Sequence, residues 1–152
     1  MFSLFRKKKQ FFSDGEQELI VEAIRQAELK TSGEVRVFVE SKCSFMDAID
    51  RAAELFFKLE MDKTKDRNGV LVYMAMDDRQ LAVFGDENIH KKVGDEYWQA
   101  EVKKMISEFS KQHFAEGISQ IVNDIGESLQ KFFPYDHDND KNELPDEIVF
   151  GK

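Results

Sequence analysis

Residues 69–76 read GVLVYMAM, a nearly unbroken apolar run bounded by polar residues on both sides. A run of that length, rich in Val and aromatic character, predicts a central strand covered on both faces. Asp77 and Asp78 interrupt it, and residues 79–84 (RQLAVF) resume a strand pattern. A two-residue break between strands predicts an antiparallel hairpin. Upstream, residues 34–40 (EVRVFVE) alternate, with Val35, Val37 and Val39 on one face. Residues 45–59 between these strands carry Ala48, Ala52, Leu55, Phe56 and Leu59 at helical spacing. Strand, helix and strand form a βαβ unit, so residues 34–40 and 69–76 are expected to run parallel.

The flanks extend the alternation. Ser13 with Glu16 three residues later is a capping box, and Leu19, Ile20, Ala23, Ile24 and Ala27 make the stripe of a first helix. That helix is expected to stop at Thr31-Ser32-Gly33, with Gly33 as a left-handed cap. Beyond Gly85-Asp86-Glu87-Asn88 a helical segment is expected to break at Gly94 and resume with Trp98, Val102, Met105, Ile106 and Phe109 inward. A last helix spans residues 114–133 through Ile118, Ile121, Val122, Ile125 and Leu129. The expected fold is α/β, a three-layer sandwich with a small mixed β-sheet and helices on both faces. Residues 13–133 form this domain, residues 1–12 a basic-aromatic N-terminal segment, and residues 134–152 a loose acidic tail.

Composition narrows the function. The 152 residues are 41% hydrophobic, enough for one core, and no apolar run reaches the ~18 residues of a membrane span. One Cys allows neither an intrachain disulfide nor a Cys-based zinc site. A net charge of −8 argues against nucleic-acid binding and favours cations or basic partners. In residues 1–12 the apolar Phe2, Leu4 and Phe5 precede Arg6 to Lys9, the reverse of a signal peptide, so a cytoplasmic protein is expected. The same segment suits an ordinary chain start or contact with an anionic membrane surface.

No nucleophile elbow, phosphate loop or dinucleotide fingerprint occurs. Cys43 has no activating neighbour in sequence, and His90, His113 and His137 show no ligand spacing. The carboxylates become informative on the topology. Glu34 opens the first strand; Asp66, Arg67 and Asn68 precede the parallel second; Asp86 and Glu87 follow the antiparallel third. All are expected at one rim of the sheet, where oxygen donors suit calcium or magnesium and Arg67 could face a phosphate. The same residues also fit plain loop caps, with Arg67 paired to either aspartate. Asp77 and Asp78 lie at the opposite rim as turn residues. Asp136, Asp138, Asp140 and Glu147 mimic part of a calcium loop, but Lys141 stands where such a loop needs Gly and Pro145 interrupts it.

Several stretches together resemble the TPM domain family, whose members include thylakoid-lumen proteins linked to photosystem II repair and many bacterial proteins. They are Thr31-Ser32-Gly33-Glu34, Asp66-Arg67-Asn68-Gly69-Val70-Leu71, Gly85-Asp86-Glu87, Trp98, and Phe114-Ala115-Glu116-Gly117-Ile118. The resemblance covers residues 13–133 and implies a Rossmann-like sandwich. It also implies a divalent-metal-binding domain acting as a regulatory or protein-repair and interaction module, or alternatively a weak metal-assisted acid phosphatase. Glu34, Asp66, Asn68 and Asp86 match the family's polar motifs, with Glu87 beside them and Arg67 as the charge-offsetting group of a phosphatase. Many bacterial relatives carry a signal peptide and a following transmembrane helix, neither of which is expected here, and a glycine-richer turn at residues 85–87.

Overall fold

A computed structural model describes residues 11–43, 45–110, 113–135 and 147–151. Helix α1 (Asp14–Lys30) leads into β1 (Glu34–Glu40), α2 (Ala48–Lys58), a single 3₁₀ turn (Met61–Lys63), β2 (Gly69–Ala75) and β3 (Gln80–Gly85). Helices α3 (Glu87–Ser110) and α4 (Phe114–Phe132) follow, and β4 (Ile148–Phe150) closes the chain.

The sheet runs β3-β2-β1-β4. β1 and β2 are parallel with Glu34 opposite Gly69, and β2 and β3 antiparallel with Val70 opposite Gly85. Every residue of β2 is buried, as expected of a strand covered on both faces. Val35, Val37, Val39, Val70, Val72 and Met74 pack in one cluster with residues of α1, α3 and α4. The opposite face, through Phe38, Leu71, Tyr73 and Ala82, packs on Ala52, Leu55 and Phe56 of α2. The three layers are therefore two helices plus the long α3, the sheet, and α2.

Local chemistry explains the element ends. Ser13 Oγ accepts the Glu16 N–H at 3.1 Å while Glu16 Oε1 accepts the Ser13 N–H at 2.9 Å, completing the capping box. Gly94, with φ 80°, takes the left-handed conformation that breaks α3 where the sequence places the break. Gly126 lets α1 and α4 approach: an added Cβ would lie 2.7 Å from Ala27 Cβ.

Five expectations are corrected. Gly33 is not a left-handed cap; among the described glycines only Gly94 has positive φ. Its smallness serves packing, because a Cβ there would stand 2.8 Å from Leu129 Cδ2. The helix expected from residue 45 begins at Ala48, since Phe45 is left-handed at φ 71° and Asp47 is extended. Ile106, expected inside, is 53% exposed. Within the segment read as a loose tail, Ile148–Phe150 pairs in parallel with Val37–Val39, and Phe150 stacks on Phe11. Phe12, placed in the N-terminal segment, is buried in the core. Residues 1–10, His137 and most of the calcium-loop-like stretch 136–147 lie outside the described residues.

Candidate functional site: a charged corner and an adjoining groove

The corner forms where β1 and β2 begin and β3 ends. The Asp86 N–H donates to Gly69 O at 2.9 Å and the Asn88 N–H to Arg67 O at 3.1 Å, stitching the loop before β2 to the start of α3. Asn88 Nδ2 donates to Asp66 O at 2.8 Å. Arg67 is left-handed at φ 50°, a conformation a non-glycine residue adopts only where its surroundings hold it. Its guanidinium closes on Asp86 in a bidentate pair, Nε to Oδ2 at 2.8 Å and Nη2 to Oδ1 at 2.9 Å. Nη1 reaches Glu87 Oε1 at 3.4 Å. The Asp86 hydrogen bonds raise the Arg67 pKa further above its ordinary value. Asp86 Oδ1 also accepts the Glu87 N–H at 2.7 Å.

Glu34 and Asn68 sit beside this pair, both buried. Asn68 Nδ2 donates to Ser32 Oγ at 3.3 Å, whereas its buried Oδ1 accepts no hydrogen bond. The structure thus brings Glu34, Arg67, Asn68, Asp86 and Glu87 to one rim, with Asp66 contributing its main-chain carbonyl. The five expected cation ligands among them, Glu34, Asp66, Asn68, Asp86 and Glu87, do not come together as one donor set. The Asp86 oxygens are engaged by a guanidinium and an N–H, and among the described residues no three His, Cys, Asp or Glu side chains form a group able to hold a metal. Arg67, the group expected to face a phosphate, already has its fork on Asp86.

The other singled-out residues are elsewhere. The buried Cys43 thiol donates to Met46 O at 3.2 Å, and the Cys43 N–H donates to Asp78 Oδ2 at 2.8 Å. Asp78 is therefore more than a turn residue. His113 Nδ1 lies 3.5 Å from Glu108. His90 Nδ1 accepts the Trp98 indole N–H at 3.1 Å while Nε2 lies 3.4 Å from Asp95.

That Trp98–His90 contact opens onto a groove the sequence did not announce. A cavity of about 460 Å³ is lined by Ile49, Phe57, Arg67, Phe84, Asp86 and Trp98 among others. A second of about 560 Å³ continues over Leu81 and Val83 to Val102 and Ile106. Ile49, Val83, Trp98 and Gln99 line both. The groove runs along the outer edge of β3, between α2 on one face of the sheet and α3 on the other, and that edge pairs with no described strand. Ile49 is 48%, Phe57 52% and Ile106 53% exposed. Gly85 lets the Trp98 ring lie directly against β3: a Cβ there would lie 2.4 Å from Trp98 Cζ2. Ile49 and Phe57 fall off the buried stripe of α2, the one signal in the sequence that could have located this surface.

The fold and corner define a small α/β sandwich with an ion-paired rim at the amino ends of its parallel strands. A family model of the TPM domain matches residues 6–128, and the chain belongs to that family. Its architecture matches the NMR structure of the BA42 protein from the psychrophilic bacterium Bizionia argentinensis with a TM-score of 0.86 and 38% identity, over 95% of this chain and 99% of that one. The N-terminal domain of a P. gingivalis protein shares the fold with a TM-score of 0.68 and 19% identity, over 83% of this chain and 82% of that one. No curated protein matches the chain. No described helix is long and apolar enough to cross a membrane.

Proposed function

We propose that this TPM domain is a non-catalytic recognition module whose groove binds an apolar polypeptide segment flanked by Lys or Arg. The observation that carries the reading is the joined pair of cavities over an edge strand, lined by half-exposed Ile49, Phe57 and Ile106. Such a concave apolar surface on a small acidic protein suits partner binding. Asp47, Glu87 and Asp95 line it against Lys103, and the chain carries −8 overall, which selects a basic partner. The corner supplies a rigid end wall, with Arg67 and Asp86 neutralising each other.

The test uses a basic amphipathic peptide of Leu, Phe, Lys and Arg, with its Glu-substituted counterpart as control. Amide shifts clustered at Ile49, Phe57, Gly85 and Ile106, together with a change in Trp98 emission, are expected from the basic peptide alone. Scattered shifts, or equal response to the acidic peptide, would overturn the reading.

A second reading, a calcium or magnesium ion at the strand starts, is favoured by one observation: the buried Asn68 Oδ1 that accepts no hydrogen bond, beside the buried Glu34. Titration of chelator-stripped protein with calcium and magnesium checks it, with shifts expected at residues 34 and 66–69. Hydrolysis of p-nitrophenyl phosphate that is metal-dependent and lost in Glu34→Gln would establish the phosphatase alternative over the non-catalytic one.

A further inference from the structure

A polypeptide can fill an apolar groove beside a sheet edge in two ways. An extended segment adds a strand and pairs its main chain with the edge, whereas an amphipathic helix bonds its own main chain and lays only side chains into the groove. The outer edge of β3 is closed to the first. Its middle residues Leu81, Ala82 and Val83 are 8%, 4% and 2% exposed, main chain included. Ile49 of α2 and Trp98 and Val102 of α3 line the same cavity over them. The polar side chains of the groove offer an extended segment little else. The Trp98 indole N–H is donated to His90 at 3.1 Å, and the Arg67 fork to Asp86. An extended main chain pressed onto this surface loses water from its N–H and C=O groups and meets few partners for them, which is costly. A helix brings its main-chain hydrogen bonds with it.

Charge sets the length of the partner. Asp47 lies at the Leu81 end of the groove, and Glu87 and Asp95 lie at the Gly85 end. Leu81 and Gly85 stand on one strand at a separation of about 13 Å, and two turns of helix rise about 11 Å. We propose, resting on the groove reading above, that the partner is an amphipathic helix. It carries an apolar stripe about two turns long, with a Lys or Arg at each end of the stripe. Half-exposed Ile49, Phe57 and Ile106 receive the stripe, and the acidic groups at the two ends receive the cations.

The probe is a helix-forming peptide with Leu and Phe on one face, Lys at both ends of that stripe, and Ala and Gln elsewhere. Its control replaces one central Ala on the opposite face by Pro, which keeps every apolar and basic residue and breaks the helix. Both are titrated into the full chain, and the 13Cα shifts of the labelled peptide report its conformation when bound. The helical peptide is expected to bind with helical shifts, and the Pro peptide roughly tenfold more weakly or worse. Asp47 makes no side-chain cap hydrogen bond to α2, so Asp47→Asn leaves that helix its cap geometry and should weaken the helical peptide several-fold. Equal affinity of the two peptides, extended shifts in the bound state, or unchanged affinity in Asp47→Asn would each overturn the helical partner while leaving the groove as a binding surface. Binding of neither peptide would overturn the groove reading and this inference together.

Discussion

Arg67 clasps Asp86 across 19 residues of sequence, with both nitrogens of the fork within 2.9 Å of the carboxylate and the Asp86 side chain only 3% exposed. The pair joins the loop before β2 to the start of α3 and closes the open end of the β2–β3 hairpin. Asp86 is buried while the Arg67 side chain is 35% exposed, so losing Asp86 leaves Arg67 to water, whereas losing the guanidinium strands a buried carboxylate. Asp86→Asn and Arg67→Lys, which cannot reproduce the bidentate fork, are both expected to lower stability. Urea unfolding of both variants, with the double variant closing the cycle, measures the coupling.

Gly85 is where corner and groove meet. A Cβ placed 2.4 Å from the Trp98 ring must displace the indole from its contact with His90. Gly85→Ala is expected to destabilise by roughly 1–3 kcal/mol through overpacking, and to shift the emission of the single tryptophan as it leaves β3. Thermal unfolding and fluorescence of the same sample report both.

The opposite rim carries a buried acid of its own. Glu40 is 4% exposed, accepts Arg51 Nε and Nη2 at 2.9 and 3.0 Å, and accepts the Tyr73 hydroxyl. Burial alone would raise its pKa, but the Arg51 and Tyr73 hydrogen bonds outweigh burial and hold it below the ordinary carboxylate value. A depressed folded-state pKa contributes stability present above the unfolded value, near 4.5, and lost as pH falls through the folded value. Wild-type stability should therefore drop as pH falls below that point, and Glu40→Gln should flatten that part of the curve while lowering stability at pH 7. Thermal unfolding across pH 3–7 checks the sign.

Glu101 has the opposite sign. Burial raises its folded-state pKa, and the folded chain therefore holds a proton longer than the unfolded one, a contribution present below the unfolded value and lost as pH rises through the folded value. Glu101→Gln should remove that loss, so the variant's stability relative to wild type should improve as pH rises above about 4.5. Parallel melting curves of the two proteins at every pH would contradict this.

Ile106 packs little in the folded chain and lines the groove. Ile106→Ser is expected to leave stability within about 0.5 kcal/mol of wild type while weakening the basic peptide, measured by titration calorimetry.

Helix stripes, the alternation of residues 34–40, the apolar run of β2 and the Asp77-Asp78 hairpin determine their elements because each is a local periodicity that one side of a core must satisfy. Parallel pairing then follows from the helix between β1 and β2, and the gathering of Glu34, Asn68, Asp86 and Glu87 at one rim follows from the pairing. What those residues do there was legible only as two alternatives, a cation site or loop caps with Arg67 paired to an aspartate, and the sequence did not choose between them. Periodicity records which side of an element faces the core, not which charged groups meet. The Arg67–Asp86 clasp needed a left-handed Arg67 and the main-chain bonds of Asn88 and Asp86 to bring the two within reach. β4 escaped for a related reason: three residues pairing at an edge, 108 positions beyond the strand they join, carry too short a pattern to announce themselves. The sequence by itself determined the layers, the strand order of the hairpin and the polar rim. Only the tertiary structure decided that Gly33 and Gly85 serve close contacts, that Ile106 faces outward, that the rim's aspartate is paired, and that α2 and α3 leave a groove between them. Each of these depends on the distance between elements remote in sequence, and that distance is set by packing rather than by any local pattern.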